Sequence, residues 1–183
     1  MFPYNTERWK YINLNPSSPM IRVLIKIHKA DSPIRPRVNW KDAPAFNLAR
    51  TLARNLETFI PLPCVFNIKN TIQLMNDLLD IRFNEDLKFV SFDIINMYSN
   101  IPITELIKII KITCKQNDLN IGIKNKIIKM CNFLTKQNYF QYKDLQYIQE
   151  YGLAMGDPTS SVFSEVYLQY LESTKIFDIP LTF

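Results

Sequence analysis

Apolar and polar residues alternate along residues 21–38, and this alternation predicts a β-hairpin. The first strand carries apolar side chains at its odd positions, and a turn signal rich in small and polar residues separates it from a short second strand. Pro36 restricts that second strand to a sheet edge or a bulge. The basic side chains on one side of the predicted hairpin are Lys26, His28, Arg35 and Arg37. From the pattern alone, this side could equally be an ordinary solvated sheet face.

Apolar residues recur with helical spacing in five other stretches, at 45–60, 71–81, 104–115, 125–136 and 160–174. We expect the apolar stripes of these helices to lie in the core. In the stretch at 71–81 the inward residues would be Ile72, Met75, Leu78 and Leu79. A second alternating stretch, at 139–149, predicts another hairpin. Helices mixed with hairpins indicate an α+β (mixed α/β) fold.

One carboxylate at the end of an apolar strand is the most informative chemical feature. The run FVSF at 89–92 predicts a strand, and that strand ends on Asp93. An ionised carboxyl group at the mouth of a buried strand is costly unless something binds it, and a metal ion is a common reason. Tyr98 follows five residues later, and Pro102 ends the segment.

Two of the three glycines, Gly152 and Gly156, fall in the loop that leads into the last predicted helix. We call residues 152–159 the Gly loop. Glycine lets another molecule approach the main chain closely, so a base pair or a phosphate could rest at this helix start. An ordinary strand-to-helix turn explains the same pattern at least as well. Asp157, Thr159 and Ser160 are the candidate N-caps of the helix.

Composition narrows the class of protein. The chain of 183 residues is one domain or part of a larger one, and 47% hydrophobic with 21% charged residues excludes a disordered protein. Three widely spaced cysteines without a CxxC pair argue against a disulfide framework and a zinc site. No stretch has the length of a membrane helix, and no secretory signal precedes residue 20. We therefore expect an intracellular protein, nuclear or cytoplasmic and not secreted, with reduced thiols.

The positive charge of the chain is unevenly distributed. Residues 1–60 contain ten Lys or Arg and four Asp or Glu, whereas residues 61–183 contain twelve and thirteen. By this count the whole net charge of +5 comes from the first third of the chain. A concentrated basic region is typical of a protein with a phosphate-bearing partner, either a nucleic acid or a nucleotide.

The order of these elements resembles the fingers and palm of a reverse transcriptase, and most closely the Penelope-like retroelement reverse transcriptases, which are related to telomerase. KIHKADSPIRP at 26–36 is similar to the fingers motif of that family. FVSFDIINMYSNIP at 89–102 is similar to its motif A, and GLAMGDPTSS at 152–161 to its motif B. The stretch at 44–60 fits the connecting helix of the family.

The resemblance covers about residues 20–172 and implies an organisation of the chain into three parts. These are an N-terminal extension at 1–20, a partial reverse transcriptase domain at 21–172 and a C-terminal tail at 173–183. The implied architecture is a right-hand polymerase fingers and palm fragment, with an incomplete palm sheet and packed helices. The implied partners are an RNA template, a DNA primer and a dNTP. The sequence indicates no membrane contact and no obligate protein partner.

The resemblance also implies roles for individual residues. Asp93 would ligate Mg²⁺ for two-metal nucleotidyl transfer, and the Ile94 carbonyl would assist one ion. Tyr98 would be the steric gate that rejects a ribose 2′-hydroxyl. Arg35 would hold the triphosphate with a lysine of the fingers motif beside it, and the Gly loop would lie against the nascent base pair. The implied nucleotide-binding set is Lys26, Lys29, Arg35, Arg37, Tyr98, Met155 and Gly156.

The chain departs from the family pattern at several positions. Arg37 stands where relatives have an aliphatic residue, and Asp157 lies in a run where they have Ser-Pro-Leu-Ser-Pro. The second acidic motif, Tyr-x-Asp-Asp, is missing from the 22 residues after Ser161. We therefore expect this chain to be inactive as a polymerase by itself. Two alternatives stay open, namely a non-catalytic nucleic-acid-binding remnant and an inert relic without a stable fold.

Overall fold

A computed structural model describes residues 10–25, 27, 32, 34–60, 68, 70–79 and 93–175. This part of the chain contains six helices and four strands, which confirms the α+β class. The elements are β1 (Met20–Ile25), β2 (Ile34–Asn39), α1 (Phe46–Phe59), α2 (Thr71–Leu79), α3 (Met97–Asn100), α4 (Ile103–Gln116), α5 (Ile121–Leu134), β3 (Tyr139–Tyr142), β4 (Leu145–Ile148) and α6 (Ser160–Lys175).

Four helices, α1, α4, α5 and α6, form the core of the molecule. Helix α4 packs against α5 and α6, and α1 also contacts both of these helices. Their predicted stripes supply most of the interior, because apolar positions three and four residues apart fall on one face of a helix. The largest fully buried side chains are Trp40, Phe163, Leu52, Leu56, Ile60, Leu106, Ile109, Ile110, Ile127, Leu134 and Val166.

Helix α5 begins four residues before the predicted start at residue 125, because a cap that the apolar stripe does not reveal starts it earlier. The Asn120 side chain accepts a hydrogen bond from the Gly122 N–H at 2.8 Å. An Asn at this position satisfies one of the backbone N–H groups that have no intrahelical acceptor. The bounds of α1, α4 and α6 agree with prediction to within one residue.

Helix α2 forms, but the prediction that its apolar stripe faces the core was wrong. Ile72, Met75 and Leu79 are exposed, and α2 contains no buried residue. The spacing of apolar residues predicts an amphipathic helix, but it does not determine whether another element covers the stripe. Residues 61–67 and 80–92, on either side of α2, lie outside the described part of the chain.

Both predicted hairpins form, and together they make one sheet with the order β2-β1-β3-β4. Strands β1 and β3 pair in parallel through Met20 and Gln141, and the Gln141 N–H donates to the Pro19 carbonyl at 2.7 Å. The apolar side chains of β1 are less covered than a core strand requires, since Val23 and Ile25 are exposed. The predicted strand at 89–92 lies outside the described residues, as do Lys26, His28 and Lys29.

The two glycines of the Gly loop occupy backbone conformations and spaces that other residues do not tolerate. Gly156 has φ 116°, and a Cβ atom there would overlap the backbone carbonyl of Val38. Gly152 has φ 70°, and a Cβ atom would overlap the backbone of Ser99. The Gly loop therefore contacts both β2 and α3 through bare main chain.

Gly156→Ala tests this close approach. Because the substitution combines a disfavoured backbone angle with a steric overlap, it should lower the free energy of unfolding by about 3 kcal/mol or more. Gly122→Ala is the matched control, since its Cβ would meet only Asn120 Oδ1 at 3.2 Å and alanine favours a helix by about 1 kcal/mol. Urea denaturation followed by circular dichroism measures both. Equal stability of Gly156→Ala and the unsubstituted protein would contradict the packing described.

Candidate functional site

Three arginines share one face of the first hairpin. In the antiparallel register, Arg22 lies opposite Arg37, and Leu24 lies opposite Arg35. Side chains of directly opposite residues project from the same side of a sheet, so the arginines lie on one face. All three are exposed, whereas Val38 on the other face is buried in the core. The hairpin thus presents guanidinium groups to solvent, while the paired residues Ile21 and Val38 on its other face anchor one end of it to the core.

The segment after residue 92 enters α3 through a tight turn. Asn96 adopts φ 52° ahead of the helix, and its carbonyl accepts a hydrogen bond from Ser99 Oγ at 3.0 Å. Asp93 and Ile94 precede this turn and are exposed. Tyr98 is half-buried, and its carbonyl accepts from the Leu153 N–H at 2.7 Å. This bond connects α3 to the Gly loop.

Polar side chains fix the Gly loop where it enters α6. The Asp157 carboxylate accepts hydrogen bonds from the Thr159 N–H at 2.8 Å and from Thr159 Oγ1 at 2.9 Å. Ser160 Oγ donates to the Ala154 carbonyl at 2.8 Å. All three side chains are buried. Asp157 therefore closes a turn just before α6, and the Thr159 carbonyl accepts the first helical bond, from the Phe163 N–H at 2.9 Å.

A cavity of about 350 Å³ lies where the hairpin, α3 and the Gly loop meet. The described residues that line it are Leu24, Arg35, Arg37, Tyr98, Met155, Gly156, Asp157, Pro158, Ser160 and Ser161. Five of these belong to the predicted nucleotide-binding set, and they come from three separate segments of the sequence. Asp93 and Ile94 are not among the lining residues. The sequence pattern gave no role to Leu24, and it left the role of Asp157 open.

A second cavity, of about 360 Å³, adjoins the first and shares Leu24, Arg37 and Gly156 with it. Arg22 and Trp40 also line this second cavity. The Trp40 indole is buried, and its Nε1 has no hydrogen-bond partner among the described residues. The two cavities together form a cleft along the arginine face of the hairpin.

Asp157 brings a negative group into the first cavity. Its side chain is only 8% exposed, and burial raises the pKa of the carboxyl group to about 6, although the hydrogen bonds from Thr159 act in the opposite direction. The carboxylate is therefore mostly ionised at pH 7. Among the described residues, the charged groups that line the cavity are then two guanidinium groups and this carboxylate.

Asp93 and the Ile94 carbonyl are the candidate oxygen ligands for a metal ion. Both residues are exposed, and within the described ranges no group of three or more His, Cys, Asp or Glu side chains converges on a possible metal site. Mg²⁺ prefers oxygen ligands, and it usually keeps several waters and binds through one or two carboxylates plus substrate phosphates. One exposed carboxylate beside a carbonyl oxygen fits that mode of binding.

A search of protein-family models and of curated proteins finds no match to this chain. Among the described residues, no helix combines the length and the hydropathy that a membrane span requires.

The ionisation of Asp157 should make stability depend on pH. Because burial raises the pKa in the folded protein to about 6 from 3.8, the folded state binds the proton more tightly than the unfolded state does. The stabilisation from this proton is complete below about pH 4 and is lost as the pH rises through 6, a change on the order of 3 kcal/mol. In Asp157→Asn this contribution is absent, and the amide oxygen can still accept from Thr159.

Chemical denaturation of both proteins between pH 4 and pH 7 isolates this group. The stability of Asp157→Asn relative to the unsubstituted protein should rise with pH across this range. Two stability curves that run parallel would show that the Asp157 carboxyl has the same pKa in the folded and unfolded states.

Proposed function

We propose that this chain is the nucleotide-binding part of a retroelement reverse transcriptase, an RNA-directed DNA polymerase. The observation that carries the proposal is the cavity lined by Arg35, Tyr98 and Gly156. These residues belong to the three motifs that resemble the family, and they are separated by more than 50 residues along the chain. A chance resemblance of three short motifs gives no reason for their residues to line one cavity.

In this proposal the cavity receives the incoming dNTP. Arg35 and Arg37 bind the triphosphate, because guanidinium groups match the geometry of phosphate oxygens. The Tyr98 ring lies under the sugar and excludes a 2′-hydroxyl group. Met155 and Gly156 lie against the new base pair, since a glycine main chain leaves room for a flat surface. The adjoining cavity beside Trp40 offers a continuation of the cleft for the RNA template and the DNA primer.

Asp93 and the Ile94 carbonyl would hold Mg²⁺ together with the phosphates of the bound nucleotide. When bound, this ion supplies Lewis-acid activation of the primer hydroxyl and neutralises charge on the leaving pyrophosphate. The contribution of the chain itself is to orient the nucleotide through the arginines and to position the carboxylate at the edge of α3.

Arg35→Gln tests the nucleotide site, with Arg22→Gln as the matched control. Both variants remove one guanidinium group from the same face of the hairpin, but only Arg35 lines the first cavity. We expect Arg35→Gln to weaken dNTP binding by about tenfold or more, the effect of losing one charge-assisted hydrogen bond. Arg22→Gln should weaken it by about threefold at most, because screening limits the effect of a distant charge.

Calorimetric titration measures this binding, in the presence of Mg²⁺ and an RNA template annealed to a dideoxy-terminated DNA primer. The dideoxy end of the primer prevents incorporation of the nucleotide, so the heat reports dNTP binding alone. Equal losses in the two variants would indicate general attraction by the hairpin face. Absence of dNTP binding in the unsubstituted protein would refute the proposed site.

A non-catalytic nucleic-acid-binding function is the second candidate, and the position of Asp157 favours it. An ionised carboxylate in the cavity wall opposes the negative charge of a triphosphate, and the metal candidate Asp93 is not among the lining residues. A chain of this kind would use the arginine face of the hairpin to hold the phosphates of RNA. Its RNA affinity would fall with salt and would not depend on Mg²⁺.

Asp93→Asn distinguishes the two candidates, with Asp118→Asn as an equally exposed control. For the polymerase proposal, Mg²⁺ should raise dNTP affinity in the unsubstituted protein and in Asp118→Asn by about tenfold, and Asp93→Asn should lose this enhancement. For the second candidate, Mg²⁺ should leave the dNTP affinities of all three proteins unchanged. Titrations with and without Mg²⁺ at constant ionic strength give the comparison.

A further inference from the structure

Helices α4 and α5 carry a concentration of positive charge that a count over long blocks conceals. Residues 103–136 contain seven lysines and two acidic residues, a net charge of +5. This equals the net charge of the whole protein. The remainder of the block 61–183 is acidic, so the block as a whole has a net charge close to zero.

Three of these lysines line a groove between the two helices. The groove has a volume of about 360 Å³ and lies at the open end of the helical hairpin, where α4 begins and α5 ends. The described residues that line it include no carboxylate, and they are Ile103, Thr104, Ile107, Lys108, Lys111, Asn132, Thr135 and Lys136. The three lysine side chains are exposed.

The two acidic residues of this segment are not among the residues that line the groove. Glu105 interacts with α6, where it accepts a hydrogen bond from the Tyr167 hydroxyl and contributes to raising the pKa of that tyrosine, after burial. Asp118 lies in the short connection between α4 and α5, at the closed end of the helical hairpin. Asp118 is therefore remote from the open end, whereas Glu105 lies in the first turn of α4 and reduces the net charge there by one.

The first turn of α4 brings main-chain N–H groups to the groove, and Glu105 in the same turn offsets part of their positive potential. Ile103 and Thr104 belong to this turn, and backbone N–H groups there have no acceptor within the helix. On the α5 side, Asn132 Nδ2 donates one of its two N–H groups to the Ile128 carbonyl, and Thr135 Oγ1 donates to the Cys131 carbonyl. The donors available to a ligand include the three lysines, the main-chain N–H groups, the Thr104 hydroxyl and the second Asn132 N–H, and the lysines favour an anion.

We propose that this groove binds the phosphodiester backbone of a nucleic acid, at a site separate from the cleft beside the first hairpin. Of the residues that the structure describes, none lines both sites. A nucleic acid fits better than a membrane surface, because an interfacial helix needs an apolar face that inserts among lipids. The main apolar faces of α4 and α5, including Ile107, Ile110 and Ile127, are buried in the core.

The double variant Lys108→Gln/Lys136→Gln tests the groove, with Lys115→Gln/Lys129→Gln as the matched control. Each variant removes one exposed lysine from α4 and a second exposed lysine, which is Lys136 just after α5 or Lys129 within it. Only Lys108 and Lys136 line the groove. At about 0.1 M salt, the groove variant should bind single-stranded RNA about tenfold more weakly than the control. The slope of log affinity against log salt concentration should become shallower by about 1.4, the value for two phosphate contacts on a single strand.

Fluorescence anisotropy with a labelled RNA measures the affinity, and thermal melting establishes that both variants are folded. If the double variant melts early, the single substitutions Lys108→Gln and Lys111→Gln take its place. Equal losses of RNA affinity in the groove and control variants would overturn the proposal in favour of diffuse attraction. Unchanged RNA affinity in the groove variant would also overturn it. Groove-dependent binding to phosphatidylserine vesicles, with RNA binding unchanged, would overturn it in favour of a membrane surface. The experiment uses no dNTP, so its result is independent of the proposed dNTP site.

Discussion

One backbone hydrogen bond connects the two sides of the candidate site. The Val38 N–H of β2 donates to the Met155 carbonyl at 2.7 Å, and this approach requires that residue 156 has no Cβ atom. Because β2 is the edge strand of the sheet and the Val38 side chain is buried in the core, the bond fixes the Gly loop to an anchored strand edge. Arg35 and Arg37 then project beside the start of α6. Without this contact, the two walls of the cavity would belong to independent surface elements.

Sequence patterns predicted the parts of the fold that depend on local periodicity. Helices α1, α4 and α6 and both hairpins follow from apolar spacing, because that spacing decides which face each element buries. The start of α5 depended instead on one side-chain cap, Asn120. The exposed stripe of α2 and the parallel pairing of β1 with β3 depend on contacts between distant segments, which local periodicity does not encode.

The candidate site shows the same division between local and distant information. Motif order led to Arg35, Tyr98 and Gly156, and the structure brings these residues to one cavity. It does not bring Asp93 to the same wall. Averaging charge over long blocks hid the lysines of α4 and α5, because the antiparallel helices place Lys108 and Lys136 beside one groove although they are far apart in sequence. Charge becomes informative about a site only when the topology is known.

Asp157 shows how one side chain can serve the fold and limit the site at once. Its buried carboxylate accepts two hydrogen bonds from Thr159 just before α6, which offset part of the cost of burial, and the helix dipole also favours a negative group there. The same position makes the carboxylate part of a cavity wall that contains two arginines. Since burial raises its pKa to about 6, mild acid neutralises it while the arginines stay charged. The attraction of the cavity for an anion therefore increases as the pH falls below neutrality.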